Sequence, residues 1–202
     1  MKIFQNIFFL LLLIIGFSLS AQDKVRFSDG KELKCKVLGL TDTTVWVGIK
    51  AGKKTKEEII FNKYVFSVVY GDGREVVIYK PNTSDEKAFN VMQMRSYVDG
   101  ASFARRNYKP YAATCGAFIV GAGGGLIGFW GFLPVIAYDL GIGSYPPRPK
   151  TKKKEHLPEV VDQFFTLGYQ DVAQKKKAHH VIVGSIAGFA SGVIYTYIGL
   201  KK

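Results

Sequence analysis

Cysteine, histidine and acidic residues are all scarce in this chain of 202 residues. It contains two cysteines and three histidines, and 16 acidic side chains stand against 28 basic ones. His179 and His180 are adjacent, so on a helix they would point about 100° apart and could not chelate one ion, and His156 is isolated. No Ser-His-Asp or Cys-His spacing and no recognisable carboxylate pair occurs. The sequence therefore predicts a protein that is not an enzyme, with no catalytic residue, cofactor or metal site.

The two cysteines, Cys35 and Cys115, lie in unlike settings. Leu33, Cys35 and Val37 alternate with lysines, which is typical of an inward strand position, whereas Cys115 begins a long apolar run. A disulfide between them is the alternative in an oxidising compartment, but two buried thiols are favoured. No cysteine lies near the N-terminal apolar segment, which excludes attachment as a lipoprotein.

The positive charge, formally +12, is distributed rather than gathered on one face. Residues 22–81 contain twelve basic and eight acidic side chains, mostly at alternating positions that indicate a solvated strand surface. The lysines that follow are split between separate segments. A nucleic-acid partner is therefore not predicted.

Residues 1–21 have the pattern of a secretory signal peptide: Lys2, then an apolar region, then small residues. Cleavage is expected after Ala21, with Ser20 as the alternative. If the segment were instead retained as an anchor, the domain that follows would still lie outside the cytoplasm. Both outcomes predict a bacterial cell-envelope protein whose first domain is in the periplasm.

Residues 22–81 form the predicted small β domain. Short runs rich in Val, Ile, Phe and Tyr predict strands at 24–27, 32–38, 44–49, 57–61, 64–70 and 75–79, with turns such as Asp29-Gly30 between them. So short a domain cannot sustain two packed sheets, so we expect a small antiparallel barrel of the SH3-like or Sm-like kind. Its aromatic residues, among them Trp46 and Tyr64, are expected in the core or covering edges rather than forming a peptide groove.

Residues 82–109 are predicted to form an amphipathic helix. Thr83 and Glu86 fit a capping box at its start. Ala101 and Ala104 fall on one face, opposite Ser102 and other polar residues. Pro110 is expected to bend the chain just before the apolar run.

Two long uncharged stretches dominate the second half of the chain. Residues 110–140 are predicted to be a glycine-rich transmembrane segment, since residues 111–138 contain no charge and seven glycines, and residues 181–200 are predicted to be a glycine-zipper transmembrane helix. In both, small residues recur every fourth position and favour close helix packing. We predict that these two rows of small residues, called the glycine ladders, face each other. The predicted helix-packing residues are Ala117, Gly121, Gly125, Gly184, Gly188 and Gly192.

The two halves of this region also resemble each other weakly. Tyr97 and Gly100 match Phe165 and Gly168 at an offset of 68 residues. The glycine ladders match each other at an offset of 67, so one deletion reconciles the two alignments. Either a true internal repeat or convergence on membrane-helix composition explains the match.

The segments between the stretches are basic. Residues 141–158 are predicted to be a basic, proline-rich loop, and residues 159–180 an amphipathic basic helix. Their lysines are candidates for contact with anionic lipid head groups. The candidates are Lys150, Lys152, Lys153, Lys154, Lys175, Lys176 and Lys177.

The basic loop bears on the membrane topology. Two spans forming a transmembrane helical hairpin would put that loop on the cytoplasmic side, as the positive-inside rule requires, and this arrangement is preferred. The alternative is a re-entrant hairpin that turns back at residues 128–134 and leaves both basic helices on one side.

Two further features of the first apolar run are candidates for chemistry. Gly123, Gly125 and Gly128 match a dinucleotide-binding pattern, but no acidic residue follows at the required distance, so close helix packing is the favoured explanation. Asp139 ends the run as an isolated acid; an interfacial position is favoured over a proton relay or pore.

The layout of signal, β module and glycine-rich tail, with the stretch FTLGYQDVAQKKKAHH before the last apolar segment, resembles envelope proteins of Gram-negative bacteria. That resemblance implies no particular activity. The predicted fold class is α+β, with a small antiparallel β-barrel-like domain followed by amphipathic helices and a transmembrane helical hairpin. The predicted function is a membrane-anchored interaction or scaffold protein whose partners are membrane lipid and another protein or a second copy. The alternative is a glycine-zipper oligomer that forms a small pore or transporter-like assembly.

Overall fold

The computed structural model describes residues 22–52, 54–82, 88–149 and 162–199, without the side chains at positions 51 and 129. The predicted signal peptide, the capping box at 83–86 and the lysines at 150–154 lie outside the described residues. The chain divides into two compact units. The first comprises the residues up to Arg26 together with Glu32–Tyr79, and the second comprises Phe27–Lys31 together with the residues from Lys80 onward. The fold is α+β, as predicted.

The β unit is built from two antiparallel sheets. In the described part of the chain these have four strands in the order β2-β1-β6-β7 and three in the order β3-β4-β5. The strands are β1 Lys24–Phe27, β2 Glu32–Lys34, β3 Lys36–Leu40, β4 Thr44–Ala51, β5 Lys54–Phe61, β6 Val65–Val69 and β7 Glu75–Val77. Buried valines such as Val25, Val45 and Val68 supply the core.

The prediction of a closed barrel is wrong, and the cause lies at Cys35. The single strand predicted at 32–38 is divided there, because the backbone N–H of Cys35 donates to the carbonyl of Asp23 (3.0 Å) and lies between two strands. β2 then pairs with β1, and β3 with β4, so the chain passes from one sheet to the other at this residue. The Asp23 carboxylate stabilises this crossing between the sheets by accepting hydrogen bonds from the backbone N–H groups of Val37 (2.9 Å) and Gly71 (2.8 Å).

The second unit contains four α-helices within the described ranges. They are α1 Val91–Asn107, α2 Tyr111–Ile127, α3 Phe132–Ser144 and α4 Gln163–Gly199. The start of α1 differs from the prediction: its capping box is formed by Asn90 and Gln93, which exchange side-chain and backbone hydrogen bonds of 2.8 and 2.9 Å. The helix therefore begins several residues after the predicted Thr83 cap.

The buried face of α1 is wider than predicted. Ala101 and Ala104 are fully buried, as expected, but Ser102, assigned to the polar face, is buried as well. Its hydroxyl donates to the carbonyl of Gly30 (2.9 Å), which belongs to the same unit. Gly30 has φ +77°, and a Cβ there would lie 2.5 Å from the Cβ of Ala101. Both the turn and the close approach therefore require glycine.

The chain bends at Pro110, as predicted. α1 and α2 meet at an angle of 58°. Proline has no backbone N–H to continue the helical hydrogen bonds, and Tyr108 is already extended. The Thr114 hydroxyl and N–H both bond back to the Pro110 carbonyl and start α2 anew.

The first apolar run, predicted to be one transmembrane segment, is not one continuous helix. α2 ends at Ile127, Gly128 adopts φ +82°, and a short turn at Phe129–Gly131 leads into α3. α3 runs back along α2: Gly131 packs on the backbone of Gly124, and the Tyr138 hydroxyl lies 3.4 Å from the carbonyl of Ala113. Glycine at 124 and 131 allows two backbones to meet at the turn. This geometry corresponds to the re-entrant alternative.

The last two predicted segments form one helix. α4 is 37 residues long and continues without a break across the expected boundary at residue 180. Its N-terminal half packs against α1 around Phe165, Tyr169 and Ala173, all buried. Asp162 caps it by accepting from the N–H of Phe165 (2.7 Å) and the hydroxyl of Ser96 (2.6 Å). Desolvation opposes ionisation of Asp162, but these hydrogen bonds outweigh it and hold the pKa of the carboxyl below its usual range.

Candidate functional site

The most closely packed part of the second unit is the interface between α2 and α4. Ala117, Gly121 and Gly125 on α2 are buried, as are Gly184, Gly188 and Gly192 on α4. A Cβ at Gly184 would lie 2.8 Å from the carbonyl oxygen of Thr114. A Cβ at the remaining four glycines of this set would overlap the backbone of the facing helix. Only small residues permit so close an approach.

The order of these contacts fixes the relative direction of the two helices. Gly184 faces Thr114, Gly188 faces Phe118, and Gly192 faces Ala122. Residue numbers rise together along both helices, so α2 and α4 are parallel. A transmembrane hairpin of two antiparallel spans is therefore not what these helices form.

The contacts are also reciprocal, in register with the sequence repeat. Gly121 meets the carbonyl of Ser185, and Gly188 meets the carbonyl of Phe118; each residue and its counterpart are 67 apart. The same exchange occurs between α1 and α4, where Gly100 meets the carbonyl of Phe165 and Gly168 meets that of Tyr97, now at 68. The two segments thus pack about a local pseudo-twofold axis parallel to the helices.

The extra residue of the first copy lies in the interval that contains the helix break. Gly100 and Ala117 are 17 residues apart, against 16 for Gly168 and Gly184. Between them, the first copy is interrupted at Pro110, whereas the second runs on as α4. The repeat was visible in the sequence, but its reciprocal contacts depend on tertiary packing.

Three successive lysines on α4 have different environments. Lys175 is exposed. Lys176 Nζ donates to the carbonyls of Arg105 (2.8 Å) and Tyr108 (3.1 Å), and Lys177 Nζ donates to the carbonyl of Tyr145 (2.5 Å). Lys176 thus supplies a hydrogen-bond donor to carbonyls at the end of α1, and Lys177 supplies one to a carbonyl at the end of α3. Of these three candidates for contact with lipid head groups, Lys176 and Lys177 turn their ammonium groups toward backbone carbonyls, whereas Lys175 is exposed.

The acidic residue singled out at the end of the apolar run, Asp139, lies on α3 and faces α4. The buried hydroxyl of Ser185 donates to Asp139 Oδ1 at 2.6 Å. Asp139 also lines an open groove of about 480 Å³ with Asp171, Gln174 and Lys175. Asp171 accepts from the hydroxyl of Tyr97 (2.6 Å) on α1. The arrangement joins α3 to α4 and α1 to α4 through short hydrogen bonds.

The glycines that match the dinucleotide-binding pattern lie within or at the end of a helix rather than in a phosphate-binding loop. Gly123 and Gly125 are within α2, and Gly128 is its C-cap. Gly125 packs on α4, whereas a Cβ at Gly123 would meet nothing within 4 Å. The two cysteines are free thiols: Cys35 is buried, which raises its pKa, and Cys115 is exposed. No group of three metal-ligating side chains occurs among the residues described.

The outer surface of α2, α3 and α4 is apolar. The exposed large side chains include Ile119, Ile127, Leu133, Ile136, Leu140, Ile182, Ile186, Ile194 and Ile198. α4 is long and apolar enough to cross a membrane, and only 28% of its most apolar 18-residue window is buried. A core helix of a soluble domain of this length would bury most of such a window. α1 and α2 together pass the same test only if the bent pair counts as one span.

Aromatic residues are exposed at both ends of this apolar surface. Tyr111 and Tyr145 lie at the end where α2 begins and α3 stops, and Trp130, Tyr195 and Tyr197 lie at the other. From Tyr111 to Ile127, a helix rises about 24 Å, somewhat less than the roughly 30 Å of a hydrocarbon core. Aromatic side chains at both ends of an apolar band are typical of membrane–water interfaces.

No protein-family model, curated protein or solved structure matches this chain.

Proposed function

We propose that this protein is a membrane-anchored component of the bacterial cell envelope, inserted through α2, α3 and α4, and that it acts by binding another envelope protein rather than by catalysis. The observation that carries the proposal is the apolar outer surface of these helices around an interior lined by glycine. In a soluble protein the large apolar side chains would face inward. Here residues such as Ile119 and Ile186 are 69% and 65% exposed, while Gly121 and Gly188 are buried.

The aromatic residues at the two ends support the proposal that lipid surrounds this apolar surface. They flank an apolar band about 24 Å high, as derived from the helix rise, and Tyr and Trp prefer the interfacial layer. The glycine packing also supports a lipid environment. Helices in lipid have no hydrophobic driving force for association, and close contact between backbones supplies packing energy instead.

The β unit offers a surface for the second half of the proposal. Trp46 and Ile59 are paired across β4 and β5 on the outward face, and Phe61 follows on the same face opposite Thr44. The three are 47%, 58% and 56% exposed. Lys63 Nζ lies 5.8 Å from the ring centre of Phe61 and 4.8 Å from that of Tyr64. Aromatic side chains are enriched at protein-binding surfaces, so we assign a protein partner to this patch.

Membrane fractionation tests the anchor. The wild-type protein should stay in the membrane pellet after alkaline carbonate, whereas the double variant Ile186→Glu/Ile194→Glu should be released, because two carboxylates would face the hydrocarbon. Ile59→Glu, an equally exposed isoleucine in the β unit, is the matched control and should remain in the pellet. Release of the wild type would refute the anchor.

In-cell crosslinking tests the binding role. A photoreactive residue at position 59 should give one adduct with an identified envelope protein, and Trp46→Ala should remove that adduct at unchanged protein level. Lys54→Ala, on the same strand as Ile59 but away from Trp46 and Phe61, should retain it. Equal adducts in both variants, or no adduct at all, would count against an interaction at this surface.

The pore alternative has no supporting observation in the part of the chain that is described. A glycine-zipper oligomer needs glycine faces that are free to meet other copies. Gly121, Gly125, Gly188 and Gly192 instead contact backbone of the same chain.

A further inference from the structure

Positive charge collects at one end of the bundle formed by α2, α3 and α4. On α4, Gln174 donates to the carbonyl of Gly143 on α3 (3.2 Å). Lys176 donates to a carbonyl at the end of α1, and Lys177 donates to one at the end of α3. These contacts place the ends of α1 and α3 beside the same part of α4. Exposed cations lie within a few residues of these contacts. We call this set the basic collar: Arg106, Lys109, Arg148 and Lys175.

The cations of the collar are available for a ligand. Within the described ranges none of the four forms a salt bridge with a carboxylate, and the aromatic contact of Lys109 is with Tyr111, 6.0 Å from the ring centre. Arg105, by contrast, is paired with Asp29 at 2.8 Å and is not part of the set. Tyr111 and Tyr145, 68% and 76% exposed, stand where the collar meets the apolar surface.

The distribution of charge is one-sided. Beyond the collar, the described residues 110–138 and 181–199 contain no charged side chain, and Asp139 on α3, which adjoins them, is an acid that accepts from the buried hydroxyl of Ser185. The parallel packing of α2 and α4 and the return of α3 are the reason, since an antiparallel pair of spans would have put the basic segments at opposite ends. A ring of cations just outside an apolar, tyrosine-edged surface fits the phosphate layer of a membrane.

We propose that the basic collar binds the phosphate groups of anionic phospholipids in the leaflet at which α2 and α4 enter the membrane. This inference rests on the membrane anchor proposed above. Ammonium and guanidinium donors recognise phosphate directly, and a basic residue near an anionic surface contributes about fivefold in affinity. The lipid thereby fixes the depth of the bundle at its charged end.

The full chain, reconstituted in nanodiscs of equal phosphatidylglycerol and phosphatidylcholine and released for native mass spectrometry, provides the test. The wild type should retain phosphatidylglycerol in preference to phosphatidylcholine. The collar variant Arg106→Gln/Lys109→Gln/Arg148→Gln/Lys175→Gln should lower the ratio of bound phosphatidylglycerol to phosphatidylcholine at least tenfold, and Lys109→Gln alone about fivefold. The matched control removes four exposed β-unit charges, at Lys34, Lys36, Lys50 and Lys54, and should keep the wild-type ratio.

Three results would overturn the collar. These are an unchanged ratio in the collar variant and in Lys109→Gln, an equal loss in the control, or displacement of the lipid by excess inorganic phosphate, which would make free phosphate the ligand. The single variant guards against misfolding of the quadruple one. A chain that remains in the membrane after carbonate but shows no lipid preference refutes only the collar, whereas a chain released by carbonate refutes the anchor itself.

Discussion

The three adjacent lysines of α4 show how much the role of a residue depends on its neighbours in space. Lys175, Lys176 and Lys177 are equivalent in sequence, and each carries one charge. In the structure one is exposed, and the other two donate to backbone carbonyls at the ends of α1 and α3. A carbonyl at a helix end has no partner within its own helix, and a lysine side chain from the neighbouring helix is long enough to donate to it.

Lys177→Met should therefore destabilise the folded chain. The substitution keeps the length and apolar stem of the side chain but leaves the Tyr145 carbonyl without its donor. We expect a loss of about 1–3 kcal/mol in the free energy of unfolding, measured by denaturant titration in a non-ionic detergent free of anionic lipid. Lys175→Met is the control and should stay within about 0.5 kcal/mol of the wild type. Equal effects of the two substitutions would show that the contact does not stabilise the fold.

The packing of α2 against α4 is a property of whole elements. The five glycines of the packed set each approach a backbone carbonyl of the facing helix, so the separation is set by backbone contact rather than by interdigitated side chains. The spacing of four residues was enough to predict which face packs. It could not predict that the helices are parallel, since small residues every fourth position favour close packing in either direction.

Gly121→Ala and Gly123→Ala should have opposite effects, although the residues are two positions apart on one helix. A methyl group at Gly121 would overlap the Ser185 carbonyl, whereas one at Gly123 meets nothing within 4 Å. Gly121→Ala should cost about 1–3 kcal/mol, and Gly123→Ala should be neutral or stabilising by up to about 1 kcal/mol through helix propensity. Thermal unfolding in detergent measures both. A Gly121→Ala protein as stable as Gly123→Ala would mean that α2 and α4 are not in backbone contact.

At the scale of the whole molecule, the direction of α2, α3 and α4 sets which parts of the chain lie at the same end of the helical bundle. The turn at Gly128 sends α3 back, and Lys177 ties the end of α3 to the level where α2 begins. The loop predicted at 141–158 therefore starts at the same end as α2. If the bundle is anchored in a membrane as proposed, we therefore expect that loop on the same side as residues 82–109, as in the re-entrant alternative and unlike the preferred two-span topology.

Thiol labelling in intact cells should show this arrangement. In a variant with both native cysteines replaced by alanine, Arg106→Cys and Arg148→Cys are both exposed positions and should react with a membrane-impermeant maleimide from the same side. Gly199→Cys, at the far end of α4, should react only from the other. Labelling of Arg106→Cys and Arg148→Cys from opposite sides would exclude the return of the chain at Gly128.

By itself, the sequence determined the local features of this protein: the short strands, the bend at Pro110, the faces with small residues and the repeat at offsets of 67 and 68. These follow from side-chain size, turn propensity and periodicity, which act over a few residues. The tertiary structure decided what depends on contacts between distant residues. Asp23 and Cys35 divide the β unit into two sheets, because one carboxylate binds backbone groups 14 and 48 residues away. Gly124 and Gly131 fold the apolar run back on itself, and reciprocal glycine contacts make α2 and α4 parallel, because backbone can meet backbone only where neither segment carries a side chain.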